Sequence, residues 1–493
     1  MRVMTDARPT RHRLSRSLAA PLAALAGLAA AGLPGLALAA EAAGAPHLDG
    51  RDLNVFWVIP FAGILLSIAL MPLLAPSFWH HHFGKVAAGW AVAFLLPFAL
   101  TFGADLATYE LLHTLLLEYI PFIVLLTALF TVAGGVRICG TLVGTPLANT
   151  LGLGLGTLLA SLMGTTGASM LLIRPLIRAN EHRRHKVHTI VFFIFLVSNV
   201  GGSLTPLGDP PLFLGFLKGV GFFWPTVHLF WPMTLVAGCL LVIYFLVDLY
   251  LHTKDPGKHP LIEGVHEREP VRIEGAVNLL LLVAVVGAVL LSGVWHPGVG
   301  VEIYHIHVPL ETIVSNLLLL GITGLSLKLT SARSRRLNAF TWGPILEVAK
   351  LFAAIFLTII PAIAILRAGT DGALGAIIAA VNQDGQPVPA AYFWAAGLLS
   401  SFLDNAPTYL IFFNTAGGDA QVLMTDLAVT LAAISAGAVF MGANTYIGNA
   451  PNFMVKAIAE ERGVAMPSFF GYMLWSFGIL VPLFVLVTWV FFL

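Results

Sequence analysis

Runs of about 20 apolar residues follow one another along the sequence, and they restrict the folds open to this chain more than any other feature. A helix of that length crosses the hydrocarbon core of a bilayer, which is about 30 Å thick. Only 10% of the 493 residues are charged, whereas about a quarter are charged in a typical soluble protein. The sequence therefore predicts an all-α polytopic membrane protein with the lipid bilayer as its partner. No basic tract is long enough to indicate nucleic-acid binding.

The first 40 residues have the layout of a secretory signal peptide. Five arginines precede an apolar, alanine-rich stretch, and the small residues Ala37 and Ala39 offer a cleavage site. An uncleaved membrane anchor is the alternative interpretation. We predict that residues 1–40 form a signal peptide and do not belong to the membrane fold.

The distribution of lysine and arginine predicts the orientation of the spans. The segments 103–113, 296–310 and 368–390 contain neither residue, which is typical of loops outside the cytoplasm. Segments with and without lysine and arginine alternate between the two sides of the membrane along the chain only under one condition. Two apolar segments, 145–178 and 390–416, must each enter and leave on one side as re-entrant hairpins. We therefore predict about ten full spans plus two hairpins, in a bacterial-type inner membrane, with the mature N-terminus outside.

Two parts of the chain form an internal repeat. Residues 202–211, GSLTPLGDPP, align with residues 442–451, GANTYIGNAP, so that two glycines, a threonine and a proline coincide. Each segment follows one predicted hairpin, and the hairpins enter from opposite sides, so the repeat is inverted. The predicted divisions are a first repeat at 41–251 with a broken helix at 188–219, a cytoplasmic linker at 252–274, and a second repeat at 275–493 with a broken helix at 427–461.

The glycines and prolines of these segments predict unwound backbone in the middle of the membrane. Glycine permits sharp turns, and proline lacks a backbone donor and so leaves a carbonyl unpaired. Such backbone is tolerated at membrane depth only where protein or a water-filled cavity surrounds it. Interrupted helices at corresponding positions of two repeats therefore indicate the binding site of a secondary transporter. A kinked structural helix is the alternative.

The motifs SNVGGSLTPLGDPP at 198–211 and LDNAPT at 403–408 resemble the ion-transporter superfamily. That group includes NhaD-type sodium/proton antiporters, citrate–metal symporters, arsenite permeases and dicarboxylate transporters, and the resemblance covers residues 54–493. It implies a transport domain of hairpins and broken helices that moves against a scaffold, and the scaffold often forms a homodimer. The Ser-Asn-Thr triplet of the dicarboxylate branch is absent from both hairpin tips, which argues against a dicarboxylate substrate.

Two carboxylates, Asp209 and Asp404, fall within the interrupted regions. An ionisable group at membrane depth is costly and therefore indicates function. We predict that both bind sodium when ionised and release it when protonated, whereas a helix N-cap is the alternative for each. Neutral oxygens would complete the shell of a hard cation. The candidates are Asn199, Ser203, Thr205, Asn405, Thr408, Asn444, Thr445, Asn449 and Thr166, with Ser198, Thr165 and Ser169 as similar residues.

No lysine or arginine falls within the hairpin turns at 164–169 and 402–408 or within the interrupted motifs at 198–211 and 442–451, which favours a cation as the small-ion substrate. The leading hypothesis is a sodium/proton antiporter that works by alternating access, carries sodium and protons, and needs no cofactor. The alternative is a carrier of citrate or another carboxylate, coupled to sodium, protons or a divalent metal. An enzyme is not expected, since hydrolase and metalloprotease motifs such as Gly-x-Ser-x-Gly and His-Glu-x-x-His are absent from the sequence.

Three histidines, His182, His185 and His188, recur at every third position beside several arginines. We interpret them as part of a solvated face at the membrane interface. A patch that senses pH is the alternative.

Overall fold

The structure is a computed structural model that describes residues 46, 48–255 and 270–493. Within these residues the strands form only three two-stranded ribbons, and ten helices are long and apolar enough to cross a membrane. This confirms the predicted class, an all-α polytopic membrane protein. The predicted signal peptide at 1–40 lies outside the described residues, as do residues 256–269 of the predicted linker.

Within the described residues, four α-helices precede the first hairpin, and the last two of them form one continuous span. A π-helical turn, Thr114–Tyr119, joins that pair. Pro76 and Pro121 each lie in the first turn of a helix, where the missing backbone donor costs little. The four helices are α1 (Ile59–Leu74), α2 (Pro76–Phe102), α3 (Ala104–His113) and α4 (Ile120–Ala133).

The next two helices, α5 (Pro146–Met163) and α6 (Thr165–Ala179), form an antiparallel hairpin. They are joined by Gly164 alone, whose φ of 80° lies in the left-handed region that favours glycine. At the open end, the backbone N–H of Gly144 donates to the carbonyl of Ala179 at 2.7 Å. The chain therefore enters and leaves this hairpin on the same side.

A broken helix follows, and its two halves are separated by a compact loop. Gly208 lies directly against Gly202 in this loop, and a Cβ atom at Gly208 would stand 2.1 Å from the carbonyl oxygen of Gly202. Only glycine fits such a contact. The elements are α7 (Val187–Leu196), the 3-10 turn Val200–Leu204, α8 (Pro210–Leu217) and the long helix α9 (Trp224–Lys254).

A short ribbon fixes the position of the chain on both sides of the linker. Strand β1 (Arg137–Cys139) pairs antiparallel with β2 (Arg272–Glu274). The hydrogen bond that Arg137 donates to Glu274, at 3.1 Å, lowers the pKa of Glu274. Arg178, near the end of α6, donates to the carbonyl of Ile138 at 2.9 Å. The open end of the first hairpin and the end of the linker thus lie at the same end of the molecule.

A second ribbon lies at the start of α3. Tyr304, in the turn of this ribbon, donates to the carboxylate of Asp105 at 3.2 Å. The elements between the linker and the second hairpin are α10 (Val277–Val294), β3 (Gly300–Ile303), β4 (Ile306–Pro309), α11 (Leu310–Leu329), α12 (Ala332–Leu337), α13 (Gly343–Thr358), α14 (Ile360–Arg367), α15 (Gly375–Val381), β5 (Asn382–Gln383) and β6 (Gln386–Pro387).

The remaining chain repeats the pattern of a hairpin followed by a broken helix. Near the open end of the second hairpin, the rings of Tyr392 and Phe412 are in edge contact, with centroids 6.2 Å apart. The elements are the hairpin arms α16 (Pro389–Phe402) and α17 (Asn405–Thr415), the short α18 (Ala420–Met424), the half-helices α19 (Ala428–Met441) and α20 (Ala450–Glu461) on either side of the 3-10 turn Gly442–Asn444, and the last helix α21 (Phe469–Val487).

Candidate functional site

The two broken helices contain loops of the same construction, which we call the first loop (201–209) and the second loop (441–449). The hydroxyl of Thr205 donates to the carbonyl of Ser161 at 2.5 Å, and that of Thr445 donates to the carbonyl of Ser401 at 2.5 Å. The hydroxyl of each serine donates in turn to the first carbonyl of its loop, at 2.5 Å and 3.2 Å. Each loop is thus stabilised by the hairpin that precedes it in the chain.

Asp209, the last residue of the first loop, is the point where the interrupted segments meet. Its side chain is buried, with 2% of the residue exposed. Its carboxylate accepts hydrogen bonds from the hydroxyl of Thr165 at 2.9 Å, from the amide of Asn449 at 3.1 Å, and from the amide of Asn405. These donors belong to the turn of the first hairpin, the second loop and the turn of the second hairpin.

The two predicted carboxylates differ in what their side chains do. Asp209 is the N-cap residue of α8 by position, but its side chain makes no capping hydrogen bond. Asp404 does cap a helix, because its Oδ1 accepts from the backbone N–H of Ala406 at 3.1 Å in the first turn of α17. The capping alternative therefore describes Asp404 but not Asp209. Asp404 is half-buried and lies close enough to act electrostatically on Asp209.

The immediate surroundings of Asp209 are polar but carry no positive charge. All three of its donors are neutral, and no lysine, arginine or histidine of the described chain forms an ion pair with it. An ionised carboxylate buried without a cationic partner is strongly unfavourable. The negative charge of Asp209 therefore requires a proton or a bound cation.

Asn405 provides an unsatisfied oxygen next to this carboxylate. Its Oδ1 is buried and accepts no hydrogen bond from any described residue, while its amide nitrogen donates to Asp209. The oxygen and nitrogen of an asparagine side chain are assigned from the hydrogen-bond network. If the amide rotates by half a turn, two oxygens face each other and need a proton or a cation between them. Carboxylate, amide and hydroxyl oxygens are the ligands of hard cations.

Three asparagines join the two broken helices beside Asp209. The amide of Asn199 donates to Oδ1 of Asn452 at 2.7 Å, and the amide of Asn449 lies 3.3 Å from Oδ1 of Asn199. Asn452 in turn donates to the carbonyls of Gly442 and Thr445, at 2.8 and 2.9 Å. Asn452 was not among the residues predicted from the sequence. The available signal was an asparagine just after the second loop, within the predicted broken helix 427–461, where polar groups are costly.

The other predicted residues mainly stabilise backbone around the site. Thr166 is half-buried and follows Thr165, but it is not a donor to Asp209. The hydroxyls of Ser169 and Ser198 form a hydrogen bond of 2.9 Å between the first hairpin and the first broken helix. Besides Thr205 and Thr445, described above, the contacts are Ser203 to the carbonyl of Val200 (2.8 Å), Thr408 to the carbonyl of Asp404 (3.0 Å) and Asn444 to the hydroxyl of Ser401 (2.9 Å).

Comparison with known proteins yields one family. A family model described as "Putative citrate transport" matches residues 50–492, which include both hairpins and both loops. No curated protein matches the chain.

Proposed function

Since the chain belongs to this family of citrate transporter-like membrane transporters, we propose that it is a sodium/proton antiporter that binds the two ions in turn at Asp209. One observation carries the proposal. A buried carboxylate is held by three neutral donors, next to an unsatisfied amide oxygen, with no cationic partner among the described residues. Such a site attracts a small cation, and within the described chain it has no cationic side chain to pair with an anion.

Competition for one carboxylate is sufficient to couple the two ions. Ionised Asp209 would bind sodium with help from oxygens such as those of Asn405 and Thr165, and protonated Asp209 would release it. Because the two ligands exclude each other, the gradient of one drives movement of the other. Asp209 is 2% exposed, so exchange with either side requires a rearrangement. The two hairpin turns enclose the carboxylate, and movement of a hairpin would open the site.

A carboxylate carrier is the second candidate, and the family match favours it. Four helices, α6, α8, α17 and α20, begin at the hairpin turns and loops around Asp209, and helix N-termini favour anions. Because the donors to Asp209 carry no charge, citrate would have to enter together with a metal cation. This candidate therefore also uses Asp209 as a cation ligand, but it predicts net uptake of citrate.

Proton movement in everted membrane vesicles distinguishes the two candidates. A pH-sensitive dye reports the proton flux after a sodium, lithium or potassium salt, or magnesium citrate, is added to energised vesicles. The uptake of labelled citrate is measured in parallel. The key variant is Asp209→Asn, which removes the charge and keeps the shape of the side chain. Asp371→Asn is the matched control, because Asp371 is exposed and lies in the 3-10 turn after α14.

We expect sodium to dissipate the proton gradient in the wild type and in Asp371→Asn, and not in Asp209→Asn. Retention of sodium/proton exchange by Asp209→Asn would remove Asp209 from the mechanism. Citrate uptake without sodium/proton exchange would replace the antiporter by the carboxylate carrier.

A further inference from the structure

The membrane helices fall into two groups that pack mainly within themselves. The first group surrounds Asp209 and contains both hairpins, both broken helices and the long helices α9 and α21. The second group, which we call the frame, contains α1–α4, α10, α11, α13 and α14. Because Asp209 is buried within the first group, the contacts between this group and the frame limit how the site can open.

One ion pair joins the first group to the frame. Lys218, the residue after α8, has its Nζ 2.5 Å from Oε1 of Glu118. The side chains of Lys218 and Glu118 are 18% and 12% exposed, so the pair is largely shielded from water. No other ion pair between described residues connects a helix of one group to a helix of the other. A shielded pair is costly to break, because each charge is then left without its partner.

The frame holds Glu118 in a defined position. Glu118 lies in the π-helical turn Thr114–Tyr119, which joins α3 to α4, and turns of this kind are rare and often occur at functional sites. The hydroxyl of Tyr119, the next residue, donates to the carbonyl of Ala349 in α13 at 2.9 Å. Glu118 is therefore anchored to the frame, whereas Lys218 is attached to α8.

A second polar contact lies near the ion pair. Nε of Arg367, at the end of α14, donates to Oδ1 of Asn414 in the last turn of α17 at 2.9 Å. Glu110 of α3 lies close enough to Lys218 and Arg367 to interact electrostatically with both. α8 and α17 pack against each other, and both begin beside Asp209. The frame therefore holds the far ends of two helices that begin at the site.

The ion pair lies on the predicted outer side of the membrane. Leu217 and Gly219, the neighbours of Lys218, line a cavity of about 260 Å³ together with His296. His296 begins the segment 296–310, which contains no lysine or arginine and is therefore predicted to lie outside the cytoplasm. The pair thus holds α8 at its outer end.

The contacts with the frame at the cytoplasmic end are of a different kind. Met170 of α6 packs with Phe130 and Ile345 of the frame in an apolar cluster. Lys456 of α20 pairs with Glu460 of the same helix, at 2.7 Å. Within the described chain, an ion pair therefore joins the two groups of helices only at the outer end.

We propose that Glu118 and Lys218 are positioning residues that hold the outer end of α8 against the frame and so keep Asp209 closed to the outside. This inference rests on the function proposed above, because exchange requires the site to open to the two sides in turn. Opening to the outside separates α8 from the frame and breaks the ion pair, which forms again when the site closes. Both residues thus act on the transport cycle without touching the transported ion.

A reversible chemical bridge between the two positions tests this proposal. Glu118→Cys and Lys218→Cys are combined in a protein whose two native cysteines are replaced by serine. A bifunctional methanethiosulfonate with a spacer as long as the two original side chains links the new cysteines, and mass spectrometry verifies the link. The matched control is Lys456→Cys with Glu460→Cys, because that ion pair lies within one helix.

We expect the bridge between positions 118 and 218 to abolish sodium-driven proton movement in energised vesicles. A reductant that cleaves the bridge should restore it, and the control bridge should leave the exchange rate unchanged. Exchange at an undiminished rate in the protein bridged between 118 and 218 would overturn the proposal. The wild type separates this outcome from failure of the proposed function. If the wild type takes up citrate and exchanges no sodium, the antiporter is refuted, and the bridge is judged by citrate uptake in the same way.

Exchange of the two charges is a second test, which also serves if the cysteine variant does not fold. Glu118→Lys and Lys218→Glu each place two like charges together, which repel each other. Each should therefore lower the melting temperature and lose most of the exchange rate. The two substitutions combined restore an ion pair and should recover a large part of both. A combined variant that exchanges no faster than the slower single variant would contradict the positioning role, as would single variants that exchange at the wild-type rate.

Discussion

Asp209 and Asn449 occupy equivalent positions at the ends of the two loops, but only Asp209 carries a charge. Their side chains bond to each other at 3.1 Å, so the two repeats build one shared site instead of two. A second carboxylate at that distance would compete with Asp209 for a proton, because two like charges in contact cannot both be ionised. The asparagine therefore leaves a single carboxylate at the junction of the two loops, which in the proposed mechanism suits a proton or a monovalent cation.

Asp404 allows charge and capping to be separated by two substitutions. Asparagine caps a helix about as well as aspartate, whereas alanine costs about 1 kcal/mol. We expect Asp404→Asn to keep the wild-type melting temperature and to need more sodium for half-maximal exchange, because a negative charge near Asp209 is lost. Asp404→Ala should show the same sodium dependence and also a lower melting temperature. If sodium dependence is unchanged in Asp404→Asn, the carboxylate serves only as a cap.

At the scale of secondary-structure elements, the unwound loops depend on close contact between backbone segments. Gly208 lies against Gly202, and Gly448 lies in the same way against Gly442. The neighbouring atoms are carbonyl oxygens of the backbone, which cannot move aside as a flexible side chain can. The loops are therefore closely packed, and this packing fixes the position of Asp209 relative to Asn449.

Alanine at either glycine tests this close packing. An added Cβ atom would stand 2.1 Å from the Gly202 carbonyl oxygen in Gly208→Ala and 2.6 Å from the Gly442 carbonyl oxygen in Gly448→Ala. We expect each variant to lose about 1–3 kcal/mol of stability and most of its exchange activity. Gly238→Ala is the control, because a Cβ there meets nothing within 4 Å and alanine favours the helix. Normal activity in Gly208→Ala would show that the loop tolerates rearrangement.

The sequence predicted the elements better than it predicted the side chains within them. Apolar length and the glycine and proline pattern are local properties, and they indicated helices and interrupted helices. The orientation of Asp209 could not be predicted, because an aspartate before two prolines has the same local pattern whether it caps a helix or points away from it. His188 was interpreted as solvated, but its side chain is 2% exposed and its Nε2 lies 2.7 Å from Oδ1 of Asp248. That partner is 60 positions away and lay within an apolar span. Contacts between distant segments decide such cases.

At the scale of the whole molecule, three contacts relate the ends of the helices to one another. The β1–β2 ribbon and the bond from Arg178 to Ile138 lie at one end, and the contact between Tyr304 and Asp105 lies at the other end of α3–α4. The first end is rich in lysine and arginine and the second contains neither in 103–113 or 296–310. The positive-inside rule then predicts that the first end faces the cytoplasm.

Single cysteines labelled with a membrane-impermeant maleimide test this orientation and the first hairpin together. The two native cysteines, Cys139 and Cys239, are first replaced by serine. His305→Cys, in the exposed turn of the second ribbon, should react in intact cells, whereas Ala332→Cys and Arg184→Cys, both exposed positions, should react only after permeabilisation. The result for Arg184→Cys depends on the first hairpin. If residues 145–178 crossed the membrane completely, Arg184 would lie on the other side of the membrane from β1. Reaction of Arg184→Cys in intact cells, with Ala332→Cys still protected, would therefore exclude the re-entrant hairpin, and protection of His305→Cys would reverse the orientation.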